Sequence, residues 1–414
     1  MQRDAVIDAL RGFALFGILA VNIQCFVTGL AAPSLGILTA QSSSADHLAV
    51  VFTAFLLEFK FYPIFGFCFG YGFAVQMRRW TAQGVDAPQR FTRRMNAMLL
   101  MGLVHGGLLW FGDILTRYAA AGYLLKRYAG AGPHRLIEGI RFWALIALVL
   151  MVVGMLGMAT SSPETPSPGK NASSAEAVTE AEAEAEVEAK AEVEAQTPIQ
   201  LQIVKAITAY TESGYAAATA QRLGDYFYVS TGFVFLIPQF MVLFLLGAIA
   251  AQLGLLRRPE RHRALWKKML AIGLIVGVPL NAFYACLQWQ ASQTPFTAAP
   301  HPVLGMITGE LAPVLSIAFV AVFALMGNNS LLVRLFAPAG RIALSLYVTE
   351  SLLMALFLNG FGLGIGGTAG PGQLLLLATA IYAVLLAGSR LMLRFDIGGP
   401  LENWWRRYTY AQNH

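Results

Sequence analysis

Several polar side chains lie inside apolar segments at spacings that suit acid–base chemistry. Asp113 follows His105 by eight residues, across a tight turn, so its carboxylate could orient the imidazole. A neutral imidazole in a cleft acts as a general base near neutral pH, and acyl transfer to a hydroxyl or amine requires such a base. Glu58 is a second candidate for the orienting carboxylate, and Asn22 or Lys60 could bind the developing oxyanion. The predicted catalytic residues are therefore His105, Asp113, Glu58 and Asn22.

The same residues also have structural interpretations, and the sequence leaves both open. A histidine within a membrane span often forms a hydrogen bond between helices. The carboxylate of Asp113 could cap the helix that follows it, or pair with Arg117 four residues later. Glycines at positions 102, 106 and 107 favour the catalytic interpretation of His105, because they leave room beside the imidazole.

Further polar groups fall within apolar segments, where an unpaired charge is costly and a functional role is the first hypothesis. They are Lys60, Arg117, Glu310, Tyr347 and Glu350, and we predict that they contact substrate or stabilise the fold. The sequence FYPIFGFCFGYG follows Lys60 directly, and its proline and glycines predict either a broken helix that faces a cavity or a kink that packs closely against neighbouring helices. A transporter or channel would use these groups as substrate or proton sites.

The elements that must position these residues are apolar segments of about 20 residues, the length that spans a bilayer. We predict ten transmembrane helices, and thus an all-α membrane bundle, at roughly 9–31, 49–77, 94–111, 112–128, 138–158, 227–254, 265–287, 303–327, 341–359 and 373–394. With an inside N-terminus, the inside sections hold 23 of the 29 basic residues. The positive-inside rule therefore places both termini in the cytoplasm.

Two membrane blocks flank a polar region. The first block covers residues 1–158 and the second, with a cytoplasmic tail, covers 227–414. Between them, residues 159–198 are rich in Glu and Ala and predict a periplasmic linker without a core. Residues 199–226 have helical periodicity and predict two amphipathic periplasmic helices, of which the second enters the sixth span.

Composition excludes several function classes. The pI of 9.2 does not indicate nucleic-acid binding, because the basic residues lie in short loops that anchor helices and meet anionic lipid. Three cysteines at unrelated spacings give no metal or redox motif. A P-loop and a G-x-S-x-G elbow are also absent from the sequence. We expect no bound metal.

Several segments are specific in combination. They are IDALRGFALFGILAVNI at the start, FKFYPIFGFCFGYG, the run from Arg93 to Gly122 that contains H-x4-W-x-GDIL, FLLGAIAAQLGLL, GRIALSLYVTESLL, and GPLENWWRRYT. With these segments the chain resembles the YeiB-like family of bacterial inner-membrane proteins of unknown function. The family commonly has Gln immediately before the Ser of the ninth span, where this chain has Glu350.

The resemblance extends, through the first span, to transmembrane acyltransferases such as the lysosomal heparan-α-glucosaminide N-acetyltransferase. It matches Asn22 to an active-site Asn of that enzyme. The catalytic His of the enzyme has no counterpart here, because His47 lies much farther along the chain. The resemblance implies an acyltransferase of the bacterial inner membrane that uses a cytoplasmic acetyl-CoA-like donor.

The acceptor would be a periplasmic hydroxyl or amine on a small molecule, glycan or lipid. Arg11, Arg78, Arg79 and Arg341 are predicted to bind the donor phosphates. The alternative functions are a secondary transporter or channel for a small solute, and a scaffold without catalysis. Lipid is the expected surrounding partner, and the sequence leaves open whether two copies pair.

Overall fold

The computed structural model of the protein describes residues 4–29, 42–160, 198–293 and 302–410. Within these ranges every regular element is a helix, as predicted. A segment in lipid must satisfy its backbone hydrogen bonds internally, and a helix does so within one stretch of chain. Residues 161–197 of the predicted linker lie outside the described residues.

The helices of the first half are α1 (Ala5–Thr28), α2 (Ser44–Phe52), α3 (Phe61–Ala82), α4 (Ala87–Leu108), α5 (Leu115–Leu125) and α6 (Pro133–Thr160). Those of the second half are α7 (Pro198–Thr211), α8 (Tyr215–Gln252), α9 (Arg263–Ile275), α10 (Gly277–Gln293), α11 (Pro302–Leu311), α12 (Val314–Met326), α13 (Leu331–Arg341), α14 (Ala343–Leu358), α15 (Pro371–Arg394) and α16 (Pro400–Tyr410).

Within the described ranges, seven helical stretches are long and apolar enough to cross a membrane, and α13 with α14 forms an eighth that is bent by 80°. The two remaining predicted spans, 94–111 and 112–128, correspond to α4 and α5. Helix α4 begins seven residues earlier than predicted, at Ala87, and carries three arginines in its first turns. Helix α5 has 11 residues and is about 16 Å long, too short to cross a bilayer alone.

Glycines allow the central helices to touch backbone to backbone. A Cβ atom at Gly340 of α13 would collide with the carbonyl oxygen of Asp8 on α1. Gly70 of α3 lies equally close to the carbonyl of Phe244 on α8, and Gly247 of α8 to that of Phe67. Such small-residue contacts are a common way for membrane helices to associate. They bring α1, α3, α8 and α13 together as the centre of the bundle.

The second span is broken, but earlier than predicted. A π-helical turn from Thr53 to Leu57 ends at Glu58, and Phe59 has a positive φ of 64°. Helix α3 then starts at Phe61, so Pro63 falls in its first turn, where the ring is tolerated. The break therefore lies at residues 58–60, before the glycine-rich segment rather than within it.

Helices α7 and the first turns of α8 pack over one end of the bundle, and we call this region the cover. Two amphipathic helices are predicted for residues 199–226, the second of which enters the sixth span. The first is α7, and the second is the start of α8, which runs without interruption for 38 residues. The backbone carbonyl of Tyr210 accepts a hydrogen bond of 2.9 Å from Gly360 N, which fixes α7 to the end of α14.

Candidate functional site

The turn between α4 and α5 brings His105 and Asp113 together. The imidazole Nδ1 lies 2.9 Å from Asp113 Oδ1, and the two side chains are 2% and 0% exposed. Asp113 also caps α5, because its carboxylate accepts from Leu115 N at 3.1 Å and Thr116 N at 2.7 Å. Arg117 donates to the backbone carbonyl of Asp113, so its i,i+4 contact is made through the main chain. Asp113 thus orients the imidazole and caps α5 in one geometry, while Arg117 contacts its main chain rather than its carboxylate.

Ser351 completes the cluster from the other half of the chain. Its Oγ lies 2.9 Å from His105 Nε2, and its side chain is buried on α14. The same Oγ lies 3.2 Å from the carbonyl oxygen of Tyr347, one turn earlier. Asp113, His105 and Ser351 therefore form a hydrogen-bonded chain of the kind found in serine hydrolases and acyl-enzyme catalysts.

The sequence pattern did not single out Ser351 among the polar residues of its span. Its partner His105 is 246 residues away, and no local spacing connects the two. The available signal was the polar stretch SLYVTES in an otherwise apolar segment, in which Tyr347 and Ser351 share a helical face. That face is the one that meets α4.

The glycines of α4 serve close packing rather than open space. A Cβ at Gly102 would meet Thr116, and one at Gly106 would collide with the ring of Tyr226. The hydroxyl of Tyr226 donates to Thr116 Oγ1 at 3.0 Å, which links α8 to α5. The room expected beside the imidazole is therefore filled on these sides. These close contacts fix the positions of α4, α5 and α8 relative to one another.

A cavity of about 1230 Å³ approaches the cluster from the basic end, where the arginine-rich loops and α16 lie. Along α1 the lining runs from Asp4 to Ile18, a depth of about 21 Å. The inner lining is apolar and aromatic, with Phe65, Phe69 and Tyr118. The cavity also reaches Tyr347, whose ring lies 4.8 Å from that of His105.

Among the residues that the structure describes, ten arginines line the cavity, against three carboxylates. The four arginines predicted to hold a phosphate group are all among them: Arg11, Arg78, Arg79 and Arg341. Arg11 donates to the carbonyl of Cys68 at 3.2 Å and lies 3.4 Å from Asp8. The cavity thus has a strongly positive mouth and an apolar interior.

Helix α16 forms one wall of this mouth. The ring of Trp405 lies 3.4 Å from the guanidinium carbon of Arg94, and its Nε1 donates to the Arg94 carbonyl at 2.9 Å. Glu402 accepts from Leu344 N at 2.7 Å and from Ser345 N at 3.1 Å. A carboxylate from α16 thereby caps α14, the helix that carries Tyr347 and Ser351.

The cover closes the opposite side of the cluster. Arg222 and Tyr215 of α8 both donate to the carbonyl oxygen of Leu108, at 2.8 Å and 3.1 Å, where α4 ends. Tyr210 of α7 donates to Asp225 at 2.6 Å, and burial raises the pKa of the Tyr210 phenol. These contacts tie the cover to the turn that holds Asp113.

Other predicted site residues lie elsewhere. Lys60, which is 0% exposed, donates to the carbonyl of Ala54 at 2.5 Å, and its own carbonyl accepts from Ser316 Oγ at 2.7 Å. Its ammonium lies 5.7 Å from the Tyr284 ring, so it contacts α10 and α12 rather than His105. Glu310 binds Gln239 of α8.

Glu58, Asn22 and Glu350 are not members of the hydrogen-bonded chain of Asp113, His105 and Ser351. Glu58 is buried at the break before Lys60, and Asn22 is half-buried on α1. Glu350 is 1% exposed on α14, and its Oε1 has no hydrogen-bond partner among the described residues. Within the described ranges, no group of three or more His, Cys, Asp or Glu residues could hold a metal ion.

The fold and this site define a polytopic helical membrane protein with a buried polar centre. Residues 250–412 match a family described as protein of unknown function (DUF418). The chain is 29% identical to the uncharacterised protein YxaH of Bacillus subtilis (strain 168), over 99% of this chain and 94% of that protein. It is 23% identical to the uncharacterised protein YeiB of Escherichia coli (strain K12), over 99% and 97% of the two chains.

These matches confirm the family resemblance drawn from the motifs, since the chain is similar to YxaH and YeiB over nearly its full length. No solved structure matches the chain significantly. The more distant resemblance to acyltransferases stays a prediction.

Proposed function

We propose that the protein is a bacterial inner-membrane acyltransferase that takes an acyl group from a CoA-like thioester and transfers it to a hydroxyl or amine. The observation that carries this proposal is the cavity that connects an arginine-rich mouth to Tyr347, the residue in ring contact with His105. His105 is the general base, and Asp113 holds its orientation. The basic end faces the cytoplasm in this proposal, where such a donor is made.

The shape and charge of the cavity support an amphipathic anionic donor. Its volume exceeds the 300–1,000 Å³ typical of small-ligand pockets, so a molecule of cofactor size fits. Ten arginines against three carboxylates leave an excess of seven positive charges, which suits a ligand with several phosphates. The aromatic interior suits an apolar arm that carries the acyl group toward Tyr347.

Donor binding is tested with the purified protein in lipid nanodiscs and acetyl-CoA as the probe. Replacing Arg78 and Arg79 together by Gln should weaken binding about 10²- to 10⁴-fold, since hydrogen bonds to charged groups contribute about 1.5–3 kcal/mol each and two are lost. The matched control replaces Arg135 and Arg141 by Gln, because both are exposed arginines that do not line the cavity. Equal affinity of both double variants for acetyl-CoA would contradict the proposal that the arginine-rich mouth binds the donor phosphates.

Transfer is tested by release of free CoA thiol when hydroxyl and amine acceptors are added. His105→Ala should lower the rate about 10²- to 10⁴-fold while the protein still binds acetyl-CoA. The exposed His134 provides the control, since its side chain is 90% exposed. A His105→Ala protein with full thiol release would refute the role of the imidazole.

Transport is the second candidate function, and Glu350 is the observation that favours it. A carboxyl buried in α14 with an oxygen that lacks a partner among the described residues is the type of group that carries protons in transporters. Proteoliposomes with a trapped pH-sensitive dye test this directly. Proton flux that Glu350→Gln abolishes would support transport and count against the acyltransferase.

A further inference from the structure

We propose that Ser351 is a catalytic nucleophile, which carries the acyl group as a covalent ester between donor and acceptor. This inference rests on the proposed acyltransferase function and adds a residue and an intermediate to it. Without it, His105 would deprotonate the acceptor directly and transfer would take a single step. The hydrogen bonds around His105 favour two steps.

The partners of Asp113 fix the direction of each hydrogen bond in the chain. Leu115 N and Thr116 N are both donors to its carboxylate, so the carboxylate acts as an acceptor. His105 must then donate through Nδ1–H, which leaves Nε2 with a free lone pair. Ser351 Oγ, 2.9 Å away, is therefore the donor to Nε2. An imidazole in this tautomer is ready to take the serine proton.

The first step forms an ester and releases a thiol. Ser351 Oγ attacks the thioester carbonyl as its proton moves to His105 Nε2, and collapse of the tetrahedral intermediate breaks the C–S bond. His105 returns that proton to the departing thiolate. In the second step the acceptor hydroxyl or amine attacks the ester, its proton passes to His105, and Ser351 recovers it as the leaving alkoxide.

Arg117 is the candidate for stabilising the oxyanion. Its Nη1 is held by the backbone carbonyl of Asp113, directly beside the hydrogen-bonded chain. Its Nη2 is buried and has no hydrogen-bond partner among the described residues. A fixed guanidinium with a spare N–H is suited to a charge that appears only in the transition state.

Tyr347 separates the cavity from Ser351. The two residues lie one turn apart on α14, and Tyr347 lines the cavity while Ser351 is 1% exposed. The Tyr347 hydroxyl accepts a hydrogen bond of 3.3 Å from Ile114 N, a long contact that a side-chain rotation can break. Rotation of this ring would admit the acyl carbonyl to Ser351. Tyr347 is thus a gate in the proposal, and its removal should increase access.

A structural role for Ser351 is the alternative, since its hydroxyl also lies near the carbonyl of Tyr347. Thr349 offers a matched control for that role. It lies on the same helix and donates to the carbonyl of Ser345 at 2.8 Å, also four residues earlier. Thr349→Ala therefore removes the kind of bond to the helix backbone that a structural Ser351 would make, and only Ser351→Ala removes the proposed nucleophile.

An alkyl fluorophosphonate is the probe, because it reacts covalently with serines activated by a neighbouring base. The full-length protein in nanodiscs is labelled, and the modified residue is located by peptide mass spectrometry. We expect the adduct on Ser351, with Ser351→Ala unlabelled and Thr349→Ala labelled like the wild type. His105→Ala should slow labelling at least 100-fold and Asp113→Asn at least 10-fold. Tyr347→Ala should accelerate it several-fold.

The outcomes separate this inference from the proposed function. Labelling of Ser351 that is unchanged in His105→Ala would overturn the inference, and so would its absence in both the wild type and Tyr347→Ala. Thiol release at the wild-type rate by Ser351→Ala would also overturn it and leave a one-step acyltransferase. Labelling of Ser351 without thiol release from any thioester would support the role of Ser351 as a nucleophile and refute the proposed thioester donor.

Discussion

Removal of the Glu402 carboxylate should loosen the start of α14 without touching the buried hydrogen-bonded chain. One oxygen of Glu402 accepts from Leu344 N and Ser345 N, and the other lies 2.5 Å from Ser345 Oγ. Both partner residues are buried, at 7% exposure each. Glu402→Ala leaves these donors without the carboxylate. The start of α14, where the chain bends by 80° after α13, is then no longer held in place.

The expected cost follows from the bonds that are lost. Loss of a helix N-cap costs about 1 kcal/mol, and the charge near the helix N-terminus adds about 0.3–1 kcal/mol. The buried Ser345 hydroxyl adds roughly 1 kcal/mol. Because the site borders the cavity, water can replace part of these contacts. We therefore expect a loss of about 2–3 kcal/mol in the free energy of unfolding, and a fall in Tm of roughly 3–6 °C.

The assay is thermal unfolding in detergent, followed by tryptophan fluorescence. Glu402→Gln keeps one acceptor oxygen and should lose about half as much stability as Glu402→Ala. Glu260→Ala is the control, because Glu260 is an exposed carboxylate at the same end of the bundle and should change stability by less than about 0.5 kcal/mol. A Tm for Glu402→Ala equal to that of Glu260→Ala would refute the capping argument.

Three further predictions concern orientation, the linker and the buried carboxyl. In intact cells an impermeant maleimide should label Ala185→Cys and not Glu260→Cys. The reverse pattern would show that the chain has the opposite orientation in the membrane. Deletion of residues 163–196 should leave the yield of folded protein near that of the wild type, because their composition cannot form a core, and loss of folded protein would show that they pack. Glu350→Met should keep or raise Tm, since an apolar side chain of similar length removes a buried oxygen that has no hydrogen-bond partner among the described residues, and a fall of more than about 5 °C would reveal a stabilising partner.

The sequence predicted the parts of the fold that depend on local composition. Long apolar segments predicted α1, α6, the combined stretch of α11 and α12, and α15 close to their observed bounds, because burial in lipid requires length and low charge. The bounds of α4 were missed, because its first turns are helical outside the most apolar stretch. The strained Phe59 was not predictable, since only surrounding packing holds a non-glycine residue at positive φ.

The candidate site was likewise predicted only where its residues are close in the sequence. His105 and Asp113 were found because a short turn joins their helices and keeps them close in sequence. Ser351 was not found as their partner, because the contact depends on how α14 packs against α4. Glu58 and Lys60 had the right chemistry and depth, but the break in the second span directs Lys60 toward α10 and α12. The position of a residue along its predicted span therefore predicted its level in the membrane, but not which side chains it contacts.

In the proposed acyl transfer, the cover over the α4–α5 turn would set the order of events. Donor and free thiol would share the arginine-lined entrance, so the thiol should compete with fresh donor and slow turnover as it accumulates. An acceptor from the far side would reach Ser351 only after Arg222 and Tyr215 release the end of α4. Opening of the cover while the serine is esterified would then let the acyl group leave on the side opposite to its arrival, without a continuous pore at any stage.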